Sequence, residues 1–264
     1  MILFVLEGDK AESKIYDTIK SLYFANQNED IIYIFKSSIY DLYDKVRKYS
    51  DFDNITEAAD VVSILRSIHP DSALKDIDES SQIDQIFLFF DYDFQHVFRL
   101  LKRHPNENLE TLTNEDNQKI AEMLNFFDNE TEMGKLYINY PMVESLKYTK
   151  KMPDPNYSTY QVSLDECHGK FKGMAEHFTD YVNFNRLFVD ERYDINEVKN
   201  NWELLKLQNV KKANYLCSGK EEFPKVKDLI NQVQIFSAQI NKYNSDSTIG
   251  ILNSFPLFIY EYFK

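Results

Sequence analysis

The sequence predicts an α/β protein: a mostly parallel sheet flanked by helices, with a mostly helical C-terminal region. Three observations carry this expectation. Short apolar runs recur at Ile2–Leu6, Ile31–Phe35 and Ile86–Phe90, with a fourth short strand at Lys135–Ile138. Unbroken runs of that length mark strands buried on both faces. Between them lie stretches with apolar residues at helical spacing. Beyond Lys151 the alternation is lost. Strand–helix–strand order of this kind closes as a parallel sheet with helices on both faces. The expected division is a sheet domain over residues 1–150, with a helical insert at about 39–80, and a helical region over residues 151–264 packed on it.

Each element follows from local signals. After Ile2–Leu6 comes Gly8, then Ala11–Leu22 with Ile15, Ile19 and Leu22 on one helical face. Ile31–Phe35 reads as the second strand. Ile39–Tyr49 carries Leu42 and Val46 at helical spacing. Thr56 can cap a further helix bearing Ala58, Val61, Val62, Leu65 and Ile68, which Pro70 ends. Asp71–Asp84 is polar and reads as a loop. Ile86–Phe90 is the most apolar strand. Gln95–Arg103 reads as a helix, His104–Asn108 as a turn and Asp116–Phe127 as a helix. Pro141 suits the first turn of a helix through Leu146. Met152–Tyr160, with Pro153 and Pro155, reads as a linker. Val198–Leu207 and Val226–Tyr243 read as helices of the C-terminal region.

Composition bounds the function. The chain has 264 residues, 43% of them hydrophobic and 15% aromatic, enough for a sizeable core of one large domain or a medium domain with a smaller partner. The aromatic excess reads as core packing. No apolar run approaches the ~18 residues of a membrane span, and no basic segment precedes Ile2, so a cytoplasmic protein is expected. The two cysteines, Cys167 and Cys217, have no zinc spacing. A formal net charge of −13 argues against holding nucleic acid by general charge attraction. It leaves room for an enzyme whose bound metals meet the phosphate.

The chemistry is expected at the ends of the apolar runs. Glu7 follows the first, and Asp91 and Asp93 follow the third. Carboxylates at buried strand tips are costly unless a charge meets them, and several together repel. A divalent cation such as Mg²⁺ or Mn²⁺, which prefers oxygen ligands, removes both penalties. Parallel sheets bind ligands beyond the carboxyl ends of their strands, where Glu7, Asp91 and Asn139 all fall. Gly8 permits close backbone approach to a phosphate.

The order Glu7-Gly8 and then Asp91-Tyr92-Asp93 resembles the Toprim domain of topoisomerases, primases and several nuclease families. Glu7-Gly8-Asp9-Lys10-Ala11-Glu12 is similar to the N-terminal motif of RloB-type Toprim nucleases of bacterial phage defence. Asn139-Tyr140-Pro141-Met142-Val143-Glu144 resembles their later Asn-Pro-x-x-Glu segment, with Tyr140 inserted. The resemblance extends to the OLD nucleases and to the Toprim effector of the ATPase-paired PARIS system, and covers residues 1–150. It implies a metal-dependent endonuclease cleaving DNA, or RNA such as tRNA, as the toxic effector of an anti-phage system, with an ATPase partner. The implied metal and catalytic set is Glu7, Glu12, Asp91, Asp93 and Glu144; by residue type, Lys10 and Lys135 read beside it as phosphate contacts or transition-state stabilisers. Two metals about 4 Å apart would steady the attacking and leaving oxygens.

Other readings stand beside this one. The chain can be a catalytically degenerate Toprim-fold subunit that binds and regulates an ATPase. Primase-like synthesis is a third reading, weakened by the lack of zinc-ribbon cysteines. No Walker A motif occurs. His96, close behind Asp93, reads as a surface histidine, with a site-facing role as the alternative. Cys167-His168 with His177 reads as structural. Lys147-Tyr148-Thr149-Lys150-Lys151 reads equally as a nucleic-acid contact or a solvated helix end, and Lys211-Lys212 as a solvated pair.

Overall fold

A computed structural model of the chain describes residues 1–8, 10–25, 31–34, 38–52, 61–70, 72–77, 79–92, 94–167, 169–178 and 185–263. Asp93, Thr56, Ala58, Phe35 and His168 lie outside the described residues. The chain runs β1 (Ile2–Leu6), α1 (Lys10–Ile19), β2 (Ile31–Ile34), α2 (Ile39–Phe52), α3 (Val61–Ile68), β3 (Gln85–Asp91), α4 (Gln95–Arg103) and α5 (Leu109–Phe126). It continues through β4 (Asp128–Asn129), β5 (Gly134–Asn139), β6 (Gln161–Ser163), α6 (Leu164–Cys167) and α7 (Phe171–Phe178). It closes with α8 (Ile195–Ser218), α9 (Gln232–Asp246), β7 (Thr248–Gly250) and α10 (Ser254–Tyr262).

The main sheet has the order β2-β1-β3-β5-β4. The first four of these strands are parallel, and the short β4 pairs antiparallel to β5. β6 and β7 form a separate antiparallel pair. The molecule is therefore α/β, with a mixed, mostly parallel sheet flanked by helices. The registers Leu6↔Phe89 and Asp91↔Asn139 bring the carboxyl ends of β1, β3 and β5 to one edge.

The strand period of two explains the continuous apolar runs. Leu3, Val5, Ile86, Leu88, Phe90, Leu136 and Ile138 pack with α2, α3 and α5 on one face. Ile2, Phe4, Leu6, Phe87, Phe89 and Tyr137 pack with α1, α8 and α10 on the other. The second face is aromatic: Phe4 meets Phe87, Phe89 and Phe258 with ring centroids 5.4–5.8 Å apart, and Phe89 stacks on Phe255 at 4.3 Å. The aromatic excess is core, and residues on both sides of position 150 build each face.

Capping sets several boundaries that periodicity missed. Asn108 accepts from Glu110 N at 2.9 Å, so α5 starts seven residues before the expected Asp116. Asp194 caps α8 and Gly219, at φ +74°, ends it, making a 24-residue helix around the expected Val198–Leu207. The expected Val226–Tyr243 helix is divided, because Asn231 caps α9 after a 3₁₀ turn at Lys227–Ile230. The expected helix from Pro141 is instead a 3₁₀ helix, Val143–Lys147, after a cis Tyr140–Pro141 bond. Its polar groups are met from far along the chain: Asn253 Nδ2 donates to Val143 O and Ser145 Oγ, both at 3.0 Å. α-Helical pairing is not needed there.

Two further expectations change. The Met152–Tyr160 segment is packed rather than a free linker: Asp154 and Tyr157 are buried, and Tyr157 OH donates to Asn209 Oδ1 at 2.8 Å. Lys212 is wholly buried, not solvated, and donates to the carbonyls of Tyr157 and Tyr160. It sits on the inward face of α8 with Asn209 and Ala213, where the packed segment supplies acceptors.

Candidate functional site

Glu7 directly follows β1, and Asp91 is the last residue of β3. The Asp91 N–H donates to Glu7 Oε2 at 3.0 Å. One strand end therefore orients the carboxylate of its neighbour. Asn139, ending β5 and only 2% exposed, donates through Nδ2 to Asp91 Oδ1 at 2.9 Å. The other side of that amide is fixed from the C-terminus, since Ser254 N and Oγ donate to Asn139 Oδ1 at 2.9 and 2.8 Å. Phe94, buried and at φ +59°, takes the left-handed backbone that turns the chain from β3 into α4. Such a conformation is rare for a bulky residue and tends to occur at functional turns.

A cleft of about 240 Å³ opens over these strand ends. Glu7, Asp91, Tyr40, His96, Arg99 and Asp116 all line it. Asp116 is buried at 6% exposure. Its Oδ1 lies 2.7 Å from His96 Nδ1, and its Oδ2 accepts from Tyr40 OH at 3.2 Å. The Tyr40 and His96 rings stack 4.1 Å apart. Burial, reinforced by the Asp116 charge, holds the Tyr40 hydroxyl well above the usual tyrosine range, so it stays a donor. Burial likewise raises Tyr92, whose hydroxyl donates to Asn117 Oδ1 at 2.6 Å.

The remaining residues of the expected set are elsewhere. Glu12 Oε1 accepts from Gly8 N at 3.0 Å, and a Cβ at Gly8 would lie 2.4 Å from that oxygen. Glycine is thus required for the carboxylate to tuck against the turn. Glu144, 6% exposed, pairs with Lys172 on α7 at 3.1 Å. Hydrogen bonding and charge from Glu144, with a smaller contribution from Glu12, raise Lys172 above its ordinary range. Glu144 is therefore committed to Lys172, and neither Glu12 nor Glu144 is among the residues lining the cleft. Lys135 does not reach the site. It is level with Phe87 at the opposite end of the sheet and pairs with Glu261 of α10, which also accepts from Tyr137 OH at 2.8 Å. Lys10 opens α1 and is exposed. Tyr148 of the basic–aromatic stretch stacks on Phe178 at 3.8 Å, so that ring is committed to packing.

Mg²⁺ typically uses one or two carboxylates, keeps several waters and takes further oxygens from substrate phosphates. Glu7 and Asp91, converging at one cleft, fit that demand as a pair. Among the described residues no group of three or more His, Cys, Asp or Glu side chains is arranged to hold a metal ion. Asp93, the third carboxylate of the expected set, is outside them.

Asp116 was missed from the sequence, and His96, read there as a surface histidine with a site-facing role as the alternative, lines the cleft. A usable signal existed: Asp116 falls on the stripe Leu112, Asp116, Ile120, Met123, where an acidic residue interrupts the buried face of α5. Comparison with protein-family models, curated proteins and solved structures finds no match to the chain.

Proposed function

We propose that the chain is a Mg²⁺- or Mn²⁺-dependent Toprim-type endonuclease that hydrolyses phosphodiesters of DNA, or of RNA such as tRNA. The observation that carries the reading is the Glu7–Asp91 pair, joined by a 3.0 Å hydrogen bond at the carboxyl ends of adjacent parallel strands and facing one cleft. Glu7 and Asp91 would hold the ion. When bound it would polarise a phosphoryl oxygen and offset developing charge. Asn139 keeps Asp91 aimed at the cleft, and Glu7 can also accept a proton from the attacking water. Action as a phage-defence effector under an ATPase partner rests on the motif resemblance alone.

A second reading has its own observation. Glu144 and Lys135, two residues of the expected catalytic set, are committed to ion pairs with Lys172 and Glu261. That favours a degenerate Toprim-fold subunit that binds an ATPase without cutting. Calorimetric titration of Mn²⁺ separates the readings, alongside cleavage of DNA and tRNA. The nuclease reading expects binding and cleavage that both disappear in Glu7→Ala and Asp91→Ala. Cleavage that persists in both variants, or no Mn²⁺ binding by the wild type, refutes it.

A further inference from the structure

The cleft contains a second set of groups that the metal reading does not use. Asp116 is a buried carboxylate whose two oxygens meet His96 and Tyr40. A carboxylate can only accept, so His96 Nδ1 must be the donor in their 2.7 Å contact. The Tyr40 ring, stacked at 4.1 Å, fixes the imidazole plane. Nδ1 thereby keeps its proton and the ring one orientation, so Nε2, left to the cleft that His96 lines, is the nitrogen that gains and loses a proton. A carboxylate that holds an imidazole through one oxygen, and the tyrosine stacked on that imidazole through the other, is of the kind found behind acid–base histidines. The His96 side chain is 30% exposed, so a group in the cleft can reach it.

We propose that His96, protonated on both ring nitrogens, is the general acid of the reaction, donating its Nε2 proton to the leaving oxygen, with Asp116 and Tyr40 as positioning residues. The proposal rests on the nuclease reading and deepens it. In the step, the hydroxyl of water bonds to phosphorus. The bond from phosphorus to the leaving oxygen breaks, with its electron pair on that oxygen, and the Nε2 proton moves onto it. The proton released by the attacking water passes through a cleft carboxylate to solvent, and solvent reprotonates His96. One water is consumed, and a diester becomes a monoester and an alcohol. Arg99, one turn along α4 and lining the same cleft, is placed to meet a non-bridging phosphate oxygen.

The test compares leaving groups that differ in their need for a proton. Wild type, His96→Ala, His96→Gln and Asp116→Asn are assayed with Mn²⁺ on oligonucleotides and on the 3′- and 5′-(4-nitrophenyl phosphates) of thymidine, whose nitrophenolate departs unprotonated. Loss of a general acid typically costs about 10²–10⁴-fold. The expected result is a loss of that size for both His96 variants on oligonucleotides, within about 3-fold of wild type on the aryl esters. Retained aryl-ester cleavage also shows that the variants are folded. His96→Ala should lose the alkaline fall in oligonucleotide rate, and Asp116→Asn should move it. Among the described residues, the titratable groups that line the cleft with the ring are Asp116 on α5, Tyr40 on α2 with Lys119 5.5 Å from its ring, Arg99 on α4, and Glu7, Asp91 and Tyr92 at the strand ends. If His96→Ala cuts oligonucleotides like wild type, or loses both substrates equally, the assignment to His96 is wrong while the nuclease reading stands. If wild type cuts neither substrate, the nuclease reading falls and the assignment falls with it.

Discussion

Replacing Asn139 interrogates the strand-end network, because one amide joins the candidate site to α10. Its Nδ2 donates to Asp91 Oδ1 at 2.9 Å, and its Oδ1 accepts from both Ser254 N and Oγ. In Asn139→Ala the Ser254 N–H loses its acceptor inside the core, at a cost of about 1–3 kcal/mol. The hydroxyl can turn elsewhere, and water can reach half-buried Asp91. In Asn139→Asp, Ser254 keeps its acceptor, but a second carboxylate now faces Asp91. Charge centres about 4 Å apart repel by about 4 kcal/mol at an effective dielectric of about 20, and solvent at half-buried Asp91 brings this toward about 2 kcal/mol. Such a pair retains a shared proton above the usual carboxylate range. The unfolded state gives up that proton first, so the penalty is absent at low pH and grows as pH rises. The assay is urea denaturation followed by the fluorescence of the single tryptophan, buried Trp202, at about pH 5 and pH 8, with and without Mn²⁺. Asn139→Asp should lose less stability at the lower pH than at the higher. Mn²⁺ should recover it by more than it shifts wild type. Equal stability at both pH values, with equal Mn²⁺ shifts, would refute the facing geometry of positions 91 and 139.

Two other substitutions probe different parts of the structure. Gly8→Ala should displace the Glu12 carboxylate, since the new Cβ would lie 2.4 and 2.6 Å from its oxygens. The lost hydrogen bond, partly replaced by water, should cost about 1 kcal/mol, and the same change in a Glu12→Ala background should cost almost nothing in thermal denaturation. Burial pushes Lys212 well below the usual lysine range, so the unfolded chain binds the extra proton and wild-type stability should rise with pH between that lowered value and 10.5. Lys212→Met should remove that rise relative to wild type in urea melts at about pH 7 and pH 9.5. An unchanged slope would mean that the Lys212 ammonium is solvated.

The central sheet was legible because its signal is one-dimensional. A strand buried on both faces must be apolar throughout, and Ile2–Leu6 and Ile86–Phe90 satisfy that without reference to neighbours. Glu7 and Asp91 were legible for the same reason, as the first charged residues after such runs. The antiparallel strands β4, β6 and β7 were not, being only two or three residues long and defined by their partners. Nor was the true state of Val143–Lys147, whose backbone groups are met by Asn253 from 110 residues along the chain.

The same distance in sequence explains why the acidic residues sorted differently from expectation. Periodicity marks Glu7, Glu12, Asp91 and Glu144 alike as carboxylates near strand ends or in first helical turns. Their roles depend on which cation reaches them, and that is set by the C-terminal helices. Lys172 of α7 reaches Glu144, with Glu12 close enough to feel its charge. Glu261 of α10 claims Lys135, 126 residues earlier in the chain, and so removes a cation whose residue type had suggested a phosphate contact. No local rule gives the register of α7 or α10 against the sheet, so no local rule could divide these groups. Asp116 is the opposite case. Its place on the apolar stripe of α5 is a local anomaly, and a buried carboxylate needs partners wherever the fold supplies them. Here the fold supplies His96 and Tyr40 inside the same cleft as Glu7 and Asp91. A polar residue that breaks an apolar pattern was therefore a guide to the cleft independent of the strand-end carboxylates Glu7 and Asp91.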